Sequence, residues 1–171
     1  MKWLLIAALA ATPLAARAEV SDQSAAGFES RHVITVNAPP AKVRAAIGEI
    51  GKWWNSDHTY SGDARNLAID ASGCFCETLK DGSVRHMTVV YSDARALRMS
   101  GALGPLQSTG ASGHLAFVVK AAGEATELTV TYDVGGYAKG GLAQTWAAPV
   151  DGVLGEQVAR LKRYVETGKP Q

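Results

Sequence analysis

The 171 residues carry a net charge of +1, with 17 Lys and Arg set against 16 Asp and Glu and scattered along the chain. That balance excludes a nucleic-acid surface and a basic patch for acidic lipid, and no internal repeat or low-complexity segment is present. The length allows one domain around one core.

The first residues read as a secretory signal peptide. Lys2 supplies a positive start, residues 3–11 an apolar run, and Ala16-Arg17-Ala18 a small-residue cleavage site, so residues 1–18 are expected to be removed after Ala18. No Cys follows that site, so no lipid anchor is expected. No stretch reaches the ~18 apolar residues of a membrane helix. The Ala-rich character of the signal favours the periplasm over the medium. The mature chain is expected to be exported, starting at Glu19, with residues 19–27 as a small, polar, flexible leader.

Residues 31–37 alternate as a first strand, which Pro39 and Pro40 stop because proline cannot donate to a ladder. Residues 41–50 follow as a short helix with Val43, Ala46, Ile47 and Ile50 on its apolar side. Gly51 interrupts, and Trp53-Trp54 sit in a second short helix or turn beside the polar loop 58–66. Paired tryptophans serve packing more often than binding. The middle of the chain is a meander. Residues 67–70, 73–79, 84–91 and 96–100 read as strands, residues 101–112 as a loop, and residues 113–121 and 126–132 as a last hairpin. Asp81-Gly82 is a strong hairpin signal. The glycine pairs at 135–136 and 140–141 read as a hinge around Tyr137.

The last stretch, residues 142–166, organises the rest. Val150, Val153, Leu154, Val158, Leu161, Tyr164 and Val165 fall on one helical face, with Asp151, Glu156, Arg160, Lys162, Arg163 and Glu166 on the other. Pro149 suits a first helical turn and Gly168 a C-cap. A helix over residues 149–167 would run roughly 28 Å, enough to cross a sheet. Gly152 and Gly155 inside it imply a close approach to the sheet or space for a ligand. Strands bounded by helices at the two ends argue an α+β fold with the helices on one face of an antiparallel sheet.

With a regular Asp-Gly turn, residues whose numbers sum to 163 pair. Phe75, Glu77, Leu79, Val84, His86, Thr88 and Val90 then share one face. Cys74, Cys76, Thr78, Arg85, Met87, Val89 and Tyr91 share the other. Both faces are partly apolar, so the pattern alone leaves the inner one open.

Exported proteins with an even number of cysteines favour a disulfide. On a regular strand, however, positions i and i+2 lie about 6.5–7 Å apart with parallel side chains, at the far edge of disulfide geometry. Two free buried thiols are therefore expected for Cys74 and Cys76. A soft-metal site of Cys74, Cys76 and Met87, suited to copper(I), is the alternative. His32, His58 and His114 are isolated. No nucleophile elbow, zinc motif or phosphate loop is present, and no cofactor is expected.

The strand ending Val36-Asn37-Ala38-Pro39-Pro40, Val43 and the tryptophan turn resemble the START-like helix-grip superfamily, in its SRPBCC, polyketide cyclase/dehydratase-like branch. The hairpin Gly73-Cys74-Phe75-Cys76-Glu77, the strand ending Val89-Val90-Tyr91 and the terminal helix fit the same pattern, over residues 28–167. The resemblance implies a curved antiparallel sheet of about six to seven strands gripping the long C-terminal helix, with an apolar cavity between them. It places the Phe75 face inward, with Glu77 where an aromatic is usual and His86 beside it. The implied ligand is an apolar or amphipathic small molecule, lipid- or polyketide-like. The expected lining is Trp54, Phe75, Glu77, His86, Leu106, Gln107, Tyr132 and Trp146. Two other functions stay open: a cyclase/dehydratase-type enzyme using Glu77 and His86 as an acid–base pair, and an interaction module whose interior is merely core.

Overall fold

The structure, a computed structural model, describes residues 19–171. The expected signal peptide, residues 1–18, lies outside the described residues. Strands β1 (Glu19–Ser24) and β2 (Gly27–Val36) come first, followed by helix α1 (Pro40–Gly48) and three short 3-10 turns within residues 50–66. Strands β3 (Leu67–Ile69), β4 (Cys74–Leu79), β5 (Gly82–Ser92), β6 (Ala96–Gly101), β7 (Gly110–Ala122) and β8 (Ala125–Tyr137) lead to helix α2 (Leu142–Thr167). The strands form one antiparallel sheet of eight in the order β1-β2-β8-β7-β6-β5-β4-β3. The α+β class is as expected, with more strands than six to seven.

The added strand is β1. The segment expected to be a loose leader pairs along β2, with Val20 packed against the core. Strand β2 presents alternate residues to the interior, and the prolines end it: Pro40 opens α1, where its absent N–H is harmless. Gly135-Gly136 is not a hinge but the end of β8, paired to Ala111 and Ser112 of β7. A side chain at Gly136 would lie 2.3 Å from the Gly110 carbonyl oxygen, so the close strand approach demands glycine there.

Helix α2 packs on the inner face of β1, β2 and β8. Leu154, Val158, Leu161 and Val165 form its buried stripe, as the periodicity predicts, and Gly168 caps it in the left-handed conformation. The start differs. The helix begins at Leu142, so Pro149 lies inside it and leaves the Thr145 carbonyl without its helical donor. Two further corrections concern its faces. Asp151, assigned to the solvent side, is buried against β2. Gly152 is exposed, and a methyl group there would meet nothing within 4 Å, so no close approach explains that glycine.

The β4–β5 hairpin turns more tightly than a register of 163 requires: Leu79 pairs with Gly82 and Glu77 with Val84. This shift of two residues preserves the faces, because side chains alternate with period two. A bulge then breaks the alternation. Cys76 pairs with Arg85 but Phe75 with Met87, which leaves His86 as the extra residue. His86 and Met87 are therefore consecutive and both buried. A second irregularity lies between Val89 and Tyr91. The bulge at His86 has already inverted the faces by this point: Val89 packs against the core and Val90 is 57% exposed, the reverse of the regular pattern.

Candidate functional site

A cavity of about 320 Å³ opens between α2 and the end of the sheet formed by β3 to β5. Helix α2 contributes Trp146, Pro149, Val150, Val153 and Leu154. The sheet contributes Leu67, Phe75 and His86, and Trp54 closes the inner end. Two loops make the rim: Asp57 to Tyr60 on one side, and Leu103, Gly104 and Pro105 on the other. The helical turn loosened by Pro149 is thus the turn that faces the opening.

The polar feature in this apolar wall is a pair. His86 Nε2 lies 2.9 Å from Glu77 Oε2, and Glu77 is 0% exposed. The Ser61 backbone N–H donates to Glu77 Oε1 at 2.5 Å. Burial pushes the Glu77 carboxyl up, but hydrogen bonds from Ser61, His86 and the Tyr60 backbone outweigh it and hold the group below its ordinary range. Glu77 is consequently a carboxylate, and it accepts the Nε2 proton of His86. In the neutral ring that bond sets the tautomer, with Nδ1 as the acceptor. Among the described residues, Nδ1 has no hydrogen-bond partner and is not sealed from solvent. Phe75 and Tyr60 hold the imidazole from its two sides, with centroids 5.0 and 6.0 Å away, and Tyr60 lies only 23° from parallel with it.

The rim loop is tied to α2. Asn55 N–H donates to Gln157 Oε1 at 2.8 Å, Asn55 Nδ2 to Glu156 Oε1 at 2.6 Å, and His58 Nε2 lies 3.1 Å from Glu156 Oε2. Trp54 Nε1 donates to the His58 carbonyl at 3.1 Å. These bonds carry His58 and Tyr60 to the mouth.

Of the residues expected to line the cavity, Trp54, Phe75, His86 and Trp146 do so. Glu77 stands behind His86. Leu106 is turned into the core instead, and its loop reaches the cavity through Leu103 to Pro105. Gln107 is exposed and donates to the Arg85 carbonyl at 3.0 Å. Tyr132 is fully buried behind the wall, where its hydroxyl accepts from Leu103 N–H at 3.0 Å and burial pushes its pKa up to about 12. The sequence reading missed Tyr60, His58, Val150 and Val153 as lining residues. Val150 and Val153 carried a signal, their place on the apolar helix face. His58 and Tyr60 carried none beyond a polar loop next to two tryptophans.

Cys74 and Cys76 are joined in a disulfide, not free. Their Cα atoms are 5.3 Å apart, closer than the spacing of a regular strand, which was the ground for expecting free thiols. The metal alternative falls with it. Bonded sulfurs are not thiolates, and Met87 pairs with Phe75 on the opposite face from the cysteines. Among the described residues, no group of three or more His, Cys, Asp or Glu side chains is placed to hold a metal.

The fold recurs in solved structures. A conserved protein of unknown function from Enterococcus faecalis is 15% identical, with a TM-score of 0.57 over 82% of this chain and 72% of that one. CalU16 from Micromonospora echinospora is 12% identical, with a TM-score of 0.56 over 84% and 77% of the two chains. A protein from Arthrobacter aurescens is 12% identical, with a TM-score of 0.58 over 94% and 96%. No curated protein matches the sequence. The family model described as polyketide cyclase / dehydrase and lipid transport matches residues 27–166, and the chain belongs to that family.

Proposed function

We propose that the mature chain is an exported protein that binds an apolar or amphipathic small molecule, lipid- or polyketide-like, in the cavity between sheet and α2. The observation that carries this reading is a largely apolar wall that includes His86, whose imidazole is held through Nε2 by a buried carboxylate and whose Nδ1 has no hydrogen-bond partner among the described residues. The wall supports an apolar ligand body, and the nitrogen supports a ligand hydroxyl or similar donor. The family description, which includes lipid transport, agrees with the binding role. Export is supported by the Ala16-Arg17-Ala18 site and by the disulfide, a bond that persists in oxidising compartments. An interior that is merely core is disfavoured by the open space itself.

Native mass spectrometry of protein taken from its own periplasm tests the reading. The expected result is a stoichiometric small molecule that is lost in a Val153→Trp variant, whose larger side chain fills the cavity. A folded wild type that carries nothing and takes up no amphipathic compound would overturn it.

The Glu77–His86 pair also favours a second reading, acid–base chemistry on the bound molecule. Nδ1 can take a proton from the ligand, and the resulting imidazolium is stabilised by Glu77. Conversion of the co-purified compound, lost in Glu77→Gln, would establish turnover; its recovery unchanged would leave binding alone.

A further inference from the structure

We infer that the Cys74–Cys76 disulfide is an exchangeable redox site whose opening by a dithiol resets the Glu77–His86 contact at the cavity wall. The inference goes beyond ligand binding, and the exchange itself does not depend on what the cavity holds.

A structural disulfide stabilises by closing a long loop or tying separate elements together. This one encloses a single residue and joins two positions of one strand that the ladder already holds. It contributes little as a staple. It lies instead within the segment that builds the site. Phe75, the enclosed residue, lines the cavity, and Glu77, the next one, carries the carboxylate that orients His86.

The surroundings suit thiol exchange. Cys76 is partly exposed on the outer face, whereas Cys74 is buried. Its cross-strand neighbours are Ala68, small and exposed, and Arg85. The Arg85 guanidinium reaches 3.5 Å from Thr88 Oγ1, and Thr88 is the partner of Cys74. The guanidinium thus lies on the same face of the hairpin as the two cysteines, where a cation favours a leaving thiolate. The Asp70 carboxylate, which also feels the charge of Arg85, is engaged by the Ser72 hydroxyl and by the backbone N–H groups of Ser72 and Cys74.

The step balances with a dithiol as reductant. One of its thiolates attacks Cys76 Sγ, the Cys74–Cys76 bond breaks, and Cys74 leaves and takes a proton. The second thiol then attacks the mixed disulfide, closing the dithiol into its own disulfide and releasing Cys76 as a thiol. Two electrons and two protons pass to the chain.

Opening the ring has a geometric consequence. The bonded Cα atoms are 5.3 Å apart. An extended strand spaces such positions about 6.5–7 Å apart, so reduction lets β4 lengthen by roughly 1–2 Å. The pinch lies opposite the bulge in β5 that supplies His86 as an extra residue. Relaxing β4 at Phe75 therefore changes the spacing between Glu77 and the ring it orients.

The test uses the folded mature protein in graded reduced and oxidised dithiothreitol and glutathione, quenched with an alkylating agent and read by intact mass. The expected result is that both cysteines are reduced with the circular dichroism unchanged, and that both are alkylated when the quench is made in denaturant. A bond that opens only once the protein unfolds would overturn the inference. Arg85→Gln should slow exchange by roughly three- to tenfold, as expected when a leaving thiolate loses a stabilising cation; an unchanged rate would remove Arg85 from it. The coupling is read without ligand, from the ring ¹⁵N resonances of His86. They should move on reduction of the wild type and move the same way in Cys74→Ser/Cys76→Ser. Identical resonances in oxidised and reduced wild type would refute the coupling.

Discussion

Two histidine–carboxylate pairs are buried between sheet and helix, at Glu77–His86 and at His32–Asp151, and only the first faces the cavity. At the second, Ser30 Oγ donates to Asp151 Oδ1 at 2.6 Å, while His32 Nε2 lies 3.1 Å from Ser30 Oγ and 3.2 Å from Asp151 Oδ1. The three groups bond to one another and clasp β2 to α2, away from the cavity lining. At the first pair the carboxylate is satisfied from behind by Ser61, and the imidazole lines the cavity. The same side-chain chemistry is a clasp where the chain closes over it and part of a cavity wall where the space beside it is open. Burial of a charged pair is therefore no guide to function until the space beside it is known.

Substitutions separate the two roles. His86→Ala should have the largest effect, because it strips a fully buried carboxylate of its partner. A loss of about 3–5 kcal/mol in urea denaturation is expected, and a loss below 1 kcal/mol would mean Ser61 alone satisfies Glu77. At the clasp, Ser30→Ala should cost about 1–3 kcal/mol by leaving Asp151 short of a donor. It should leave the affinity of the cavity for a naphthalene probe unchanged, and a weakened probe would show that the two ends communicate.

Glu77→Gln sharpens the contrast. The amide oxygen still accepts from Ser61, but the amide nitrogen now donates to His86 Nε2 and drives the ring proton to Nδ1. Binding of 1-naphthol, which donates through its hydroxyl, should weaken about tenfold while naphthalene itself is unaffected. Equal changes for both compounds would show that Nδ1 does not meet the ligand.

Both pairs give stability that falls with acid, at different pH. Burial lowers the His32 pKa from 6.5 and Asp151 only partly opposes it. The unfolded chain then takes up the proton more readily than the folded one. The contribution is complete above about 6.5 and is lost as pH drops below it. Glu77 is held below its ordinary 4.5. Its contribution is intact above that value and is lost as pH falls through the lower folded pKa. Stability measured against pH should lose its upper step in His32→Asn and its lower step in Glu77→Gln, and a step that survives its own substitution would reassign it. The smallest effect is expected away from both pairs. Gly152→Ala, with open space around it, should stabilise by about 0.5–1 kcal/mol through helix propensity, read as a rise in midpoint at unchanged slope.

The local pattern of residues was enough for the architecture. Apolar spacing placed the buried stripe of α2 from Leu154 to Val165, Pro39 and Pro40 ended β2, and the Asp81-Gly82 signal marked the β4–β5 hairpin. Even the assignment of Phe75, Glu77 and His86 to one face survived a turn two residues tighter than expected, because a shift of two conserves the side of the sheet. What period and parity leave undetermined is any feature that breaks them or depends on a distant partner. The bulge that makes His86 and Met87 both face inward is a single extra residue, which a period of two does not announce. The same local irregularity accompanies the approach of Cys74 to Cys76. Asp151 looks like a solvent-facing charge until Ser30, 121 positions away, is placed against it. Tyr60 and His58 reach the cavity mouth only because Glu156 and Gln157 of α2 hold their loop. Those placements are long-range hydrogen bonds and close packing, which exist only once the chain has folded, and so the tertiary structure alone decided them.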